Sequence, residues 1–73
     1  MYINEEWLLD NLLSSWGDDK AEVATQIAYQ VCNALDCCDY DDMLRFSVRV
    51  AVIVGEASTP EEAARDIAGW FNC

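Results

Sequence analysis

The chain has 73 residues, 53% of them hydrophobic, and its 14 acidic residues against four Lys and Arg give a net charge of −10. This length allows one small domain, residues 1–73, with the apolar content of a chain that folds rather than a disordered one. The acidic balance excludes ordinary nucleic-acid binding, which needs a basic surface. No run of about 18 apolar residues and no signal sequence is visible, so we expect a cytoplasmic protein without membrane contact.

The first predicted helix covers about residues 4–16, with Asn4 as its N-cap and Gly17 as the residue that ends it. Its apolar face is predicted from the 100° spacing and consists of Leu8, Leu9, Leu12, Leu13 and Trp16. Trp7 does not belong to this face. Either it packs against Tyr2 or another helix, or it is an exposed aromatic anchor for a partner.

The second predicted helix covers about residues 19–35, and Asp18 together with Glu22 can cap its start. It carries a wide apolar face made of Val23, Ala24, Ile27, Ala28, Val31, Ala34 and Leu35. Tyr29 lies among polar residues, as Trp7 does, and is a second candidate anchor.

The most apolar stretch of the chain, residues 43–54, fits two secondary structures. As a strand over 44–54 it shows alternation and β-branched residues, which would give an α+β protein that pairs this strand in a dimer. As a helix over about 40–56 it has an apolar face of Met43, Phe46, Val50, Ile53, Val54 and Ala57. We favour a buried central helix, because a lone strand without a partner is not stable and the acids before it suit a helix start.

The last predicted helix covers about residues 60–71. Thr59 is its capping residue and Pro60 occupies the first helical position. Its apolar stripe consists of Ala63, Ala64, Ile67, Trp70 and Phe71. Four helices joined by short connections predict an all-α fold, a compact bundle.

The residues needed for catalysis are scarce, so we expect no enzyme activity and no cofactor. There is no His, Lys20 is the single amine side chain, and no Gly-rich phosphate loop is present. The four cysteines, which are Cys32, Cys37, Cys38 and Cys73, are expected to be reduced thiols. We expect no metal site either, because no His or paired C-x-x-C spacing is available and the acids do not follow the calcium-loop pattern.

Because we expect neither catalysis nor metal binding, we interpret the acidic residues as candidates for binding a protein partner. The candidate partner-binding residues are two acidic groups and two aromatic anchors: Asp18 and Asp19; Asp36, Asp39, Asp41 and Asp42; Trp7 and Tyr29. Such acids can contact the basic surface of a larger protein, with the plainer alternative that they keep the domain soluble and cap helices.

In size and charge the chain is similar to small acidic phage proteins that inhibit restriction, CRISPR or repair enzymes by imitating nucleic acid. That similarity implies a non-catalytic inhibitor, encoded by a phage or mobile element, that blocks a host nucleic-acid-processing enzyme. The alternative is a small homo-oligomeric structural or regulatory subunit, such as a homodimer, whose self-interface buries the aromatic residues or the Val-rich segment.

Overall fold

A computed structural model describes residues 3–35 and 39–72, and these residues form four helices. The helices are α1 (Glu5–Ser15), α2 (Lys20–Leu35), α3 (Tyr40–Glu56) and α4 (Pro60–Asn72). The predicted all-α fold is thus confirmed, and residues 44–54 belong to α3 instead of a strand. The predicted bounds of α3 agree with the structure at both ends.

Three of the helices begin at polar side chains that cap them, as the sequence predicts. Each capping oxygen accepts hydrogen bonds from backbone N–H groups two or three residues ahead, which would otherwise lack a partner. Asn4 accepts from Glu6 at 2.7 Å and Trp7 at 3.2 Å, Asp39 from Asp42 at 2.9 Å, and Thr59 from Glu62 at 3.2 Å. The second helix begins at Lys20, so Asp19 rather than Asp18 occupies the position before its first residue.

The helices associate as two antiparallel pairs. The most extensive contacts are made between α2 and α3 and between α1 and α4, whereas α3 with α4 and α1 with α2 touch less. The first pair consists of consecutive helices, but a short connection alone does not explain it, because α1 with α2 and α3 with α4 are also joined by short connections. The second pair joins the two ends of the described chain.

A side-chain clamp holds the ends of the α1/α4 pair together. The Asn72 amide oxygen accepts from the backbone N–H of Ile3 at 2.8 Å, and the Asn72 amide nitrogen donates to the Ile3 carbonyl at 2.9 Å. One side chain thereby satisfies both backbone groups of a residue that is 2% exposed. Nothing in the local sequence of either residue predicts this contact.

One buried core joins all four helices. Its buried members come from each helix and include Leu8 and Leu12; Val23, Ala24, Ile27, Ala28 and Val31; Val50 and Val54; Ala63, Ala64 and Ile67. The predicted core faces of α1 and α2 are correct in outline, with two exceptions. Leu13 is 55% exposed and Ala34 is exposed, because each lies at the margin of its apolar face, beyond the reach of the neighbouring helices.

The structure corrects the prediction of a buried central helix at 40–56. Within α3, Val50 and Val54 are fully buried and Met43, Phe46 and Ile53 are half-buried, as is Ala57 just after the helix. The opposite side of α3 faces solvent although much of it is apolar. The reason is packing geometry: α2 and α4 cover one side of α3, and no described segment covers the other.

Candidate protein-binding surfaces

The acids that begin α3 have a structural role before any other. Asp39 uses one carboxylate oxygen to cap the helix at the Asp42 N–H, and its side chain remains exposed. Asp41 is also exposed and Asp42 is half-buried. All three carboxylates lie at the positive end of the helix dipole, where negative charge is stabilising. Asp36, the fourth residue predicted for this group, lies outside the described residues, as do Cys37, Cys38 and Cys73.

The structure does not bring the two predicted acidic groups together. Asp18 and Asp19 are exposed at the junction of α1 and α2, and Asp39 lies just beyond the other end of α2. The 16 residues of α2 separate these junctions by about 24 Å at 1.5 Å per residue. The acids consequently form two groups at opposite ends of one helix.

Acids also begin the other helices. Glu5 and Glu6 lie in the first turn of α1, Glu22 in that of α2, and Glu61 and Glu62 in that of α4. No acidic residue in the described part of the chain is buried. Negative charge is therefore presented to solvent at the start of every described helix.

The two predicted aromatic anchors have different surroundings. Tyr29 is 56% exposed on α2, so its ring is accessible to a partner. Trp7 is half-buried and packs against the core, while its backbone carbonyl accepts a hydrogen bond from the Asn11 amide at 2.8 Å. Packing against the core accounts for Trp7 without a partner, whereas nothing in the fold accounts for the position of Tyr29.

The structure exposes an apolar surface on α3, within the segment predicted to be a buried helix or, in the alternative, a self-interface. Tyr40, Leu44, Val48 and Val52 are 75%, 48%, 66% and 44% exposed, and they follow one another at intervals of four residues. Such spacing places them along one side of the helix. We call these four residues the α3 stripe. The spacing of four residues could have indicated this surface from the sequence. It is hard to recognise because the segment has a second apolar side, which faces the core.

The α3 stripe borders an open groove of about 480 Å³ between α3 and α4. The groove is lined by Leu44, Val48 and Val52 of the stripe together with Arg45, Arg49 and Trp70. Trp70, which the sequence places in the core stripe of α4, is 36% exposed at this edge. Two of the four cationic residues of the chain thus lie beside this exposed apolar surface.

Aromatic contacts hold Trp70 at the edge of the groove. The Phe46 ring meets those of Phe71 and Trp70 edge-on, with centroids 4.8 Å and 5.8 Å apart. The Arg49 guanidinium lies over the Trp70 ring, 5.6 Å from its centroid. Cation–π attraction of this kind holds a charged side chain against an apolar one. The Arg49 side chain is therefore positioned at the edge of the groove by Trp70.

The described residues offer no group of three or more Asp, Glu, Cys or His side chains arranged to hold a metal ion. Within the same residues, no helix combines the length and apolar character needed to cross a membrane. Comparison of the chain with known protein families, with well-characterised proteins and with solved structures finds no match.

Proposed function

We propose that the protein is a non-catalytic binding domain whose exposed carboxylates contact the basic surface of a larger protein. The observation that carries the proposal is the surface placement of the acids at the start of every described helix, with none of the described acids buried. Carboxylates in water retain their charge and can attract a basic partner over distances of about 10 Å at ordinary salt.

The more specific form of the proposal is an inhibitor, encoded by a phage or mobile element, of a host nucleic-acid-processing enzyme. The two acidic groups at the ends of α2 are separated by about 24 Å, which equals the length of roughly seven base pairs of duplex at two phosphates per 3.4 Å. A channel that binds backbone phosphates could be occupied by carboxylates with this spread. The partner would be a cytoplasmic protein, and the domain itself would not bind nucleic acid.

The test combines affinity capture from the host cell with a charge-neutralised variant. The variant carries Asp39→Asn, Asp41→Asn and Asp42→Asn. The amide oxygen introduced at position 39 can still accept the capping hydrogen bond, so the helix start is retained. A matched control removes the same charge from α4 through Glu61→Gln, Glu62→Gln and Asp66→Asn. Circular dichroism verifies that both variants remain helical.

We expect the chain to retain a nuclease or other nucleic-acid-processing enzyme, which duplex DNA displaces. The complex should weaken by at least about tenfold between roughly 50 and 200 mM NaCl. The α3 variant should lose more affinity than the α4 control. Retention that is insensitive to salt and to DNA competition would contradict the proposal. If the α3 variant and the α4 control lost the same affinity, the α3 acids would have no special role in binding.

A second candidate function is that of a homo-oligomeric structural or regulatory subunit. The exposed α3 stripe favours it, since contiguous apolar surface rimmed by polar groups is typical of interaction sites. In this function, self-association rather than a basic partner would cover the surface.

A further inference from the structure

We propose that α3 is the interface of an antiparallel homodimer in which the α3 stripes of two copies pack against each other. This inference is independent of the proposed binding of a basic partner, which uses the acidic groups, and it rests on the second candidate function, to which it adds the interface and its geometry. The stripe extends over 12 residue steps from Tyr40 to Val52, or about 18 Å along the helix. It is long enough for two helices to pack side by side.

The charge around the stripe identifies a second copy as the occupant. The helix α3 contains Asp41, Asp42, Glu56, Arg45 and Arg49, which gives it a net charge of −1, whereas the whole chain has −10. Almost all the negative charge therefore lies elsewhere. A basic partner would meet Arg45 and Arg49 at the rim of this groove and be repelled there. A second α3 presents a nearly neutral apolar surface that matches it.

The order of charges along α3 complements itself when two copies run antiparallel. Asp41, Arg45 and Arg49 follow the stripe on one flank at intervals of four residues, with acid at the N-terminal end and base towards the C-terminal end. In an antiparallel pair the same flanks of the two helices face each other. Asp41 of each copy then approaches Arg49 of the other. In a parallel pair this flank would instead face the other flank of the second helix, where Met43, Ser47 and Ala51 carry no charge.

This charge pairing selects one register. Leu44 of one copy packs against Val48 of the other, and Tyr40 packs against Val52. The two Arg45 side chains come near the twofold axis, each with Asp41 four residues earlier on its own helix to offset the repulsion. A register centred on Val48 would bring Asp41 towards Glu56 of the other copy, and two acids repel.

The dimer is expected to be weak and to respond to salt in a characteristic direction. One helix packed against its copy makes a small interface of the kind found in weak complexes, so we expect a dissociation constant on the order of 0.1 mM. Two copies with a net charge of −10 repel each other at long range. Added salt screens this repulsion and should strengthen the dimer. The proposed complex with a basic partner should instead weaken when salt is added.

Analytical ultracentrifugation of the full chain tests the interface, over a concentration series from roughly 0.01 to 1 mM. We expect the mass to rise with concentration from 8.2 kDa towards twice that value, and more so at about 500 mM than at about 50 mM NaCl. Val48→Glu should weaken association by at least about tenfold, because it places charge in the centre of the apolar interface. Leu13→Glu is the matched control on α1, since Leu13 is similarly exposed, and it should leave the dissociation constant within about twofold.

Charge reversal tests the antiparallel register. Asp41→Arg alone and Arg49→Asp alone should each weaken association, because each places like charges opposite one another. The double variant restores the opposite-charge pair and should recover affinity, with circular dichroism showing that all three variants stay helical. A chain that stays monomeric at about 1 mM in both salts, or that loses association equally in Leu13→Glu, would overturn the proposal. Failure of the double variant to recover would overturn the antiparallel register.

Discussion

The two helix pairs of this domain differ in how completely they cover their apolar residues. In the α1/α4 pair, Leu8, Leu12 and Ile67 are fully buried and the Ile3–Asn72 clamp closes the ends, so that Leu13 and Trp70 are isolated exceptions. The α2/α3 pair buries the core face of α2 but leaves the α3 stripe in solvent. The contrast separates two uses of apolar residues: the buried ones of α1/α4 stabilise the fold, whereas those of the stripe are available for recognition.

Truncation of a core residue should give the largest effect. Ile67→Ala removes buried methyl groups from α4 and leaves a cavity, so the free energy of unfolding should fall by about 3 kcal/mol. For a 73-residue domain this is a large part of the total stability, roughly 4–11 kcal/mol. Val48→Ala in the stripe should cost less than about 0.5 kcal/mol. Urea unfolding of dilute protein measures the free energy of unfolding of both variants. Similar losses in Ile67→Ala and Val48→Ala would contradict the distinction between buried core residues and the exposed stripe.

Loss of the clamp should have the next largest effect. Asn72→Ala removes two hydrogen bonds and leaves the backbone groups of Ile3 unsatisfied at a nearly buried position, which should cost about 1–2 kcal/mol. Hydrogen exchange of the Ile3 amide should accelerate as well. Asn33→Ala, at an exposed position on α2, is the control and should change stability by less than about 0.5 kcal/mol. An unchanged Ile3 exchange rate in Asn72→Ala would show that the clamp does not hold the chain end.

Removal of the cap of α3 should have a moderate effect. Asp39→Ala eliminates the acceptor of the Asp42 N–H and should lower the free energy of unfolding by about 1 kcal/mol. Asp39→Asn keeps a capping oxygen and should lose only a few tenths of a kcal/mol. Thermal unfolding followed by circular dichroism compares the two. If the Asn substitution proved as damaging as the Ala substitution, the charge of Asp39 rather than its hydrogen bond would be the stabilising feature.

The smallest effect is expected at the rim of the groove. Arg49→Ala removes the cation above the Trp70 ring and should cost about 0.5 kcal/mol. Arg45→Ala, one turn earlier on the same helix, serves as the matched control. Both variants are measured at concentrations where the chain is monomeric, so that any role in association does not contribute. A larger loss in Arg45→Ala would show that the Arg49–Trp70 contact does not stabilise the monomer.

The predictions from sequence were most accurate where they depended on local chemistry. Asn4, Asp39 and Thr59 cap helices because their side-chain oxygens reach N–H groups two or three residues ahead. The candidate site was harder to predict. The exposure of Tyr29 agrees with the polar residues around it, whereas Trp7, equally isolated in sequence, packs against the core. The sequence of one helix does not show whether a neighbouring helix will cover a given side chain on it.

The sequence by itself determined the helices, the starts of three of them and the acidic surface, because capping, helical spacing and charge act over one or two turns or are simple sums over residues. The tertiary structure alone decided three features. It left the second apolar side of α3 in solvent, it placed Trp70 at the edge of a groove, and it brought Asn72 to Ile3 across 69 positions. Each of these depends on how helices approach one another.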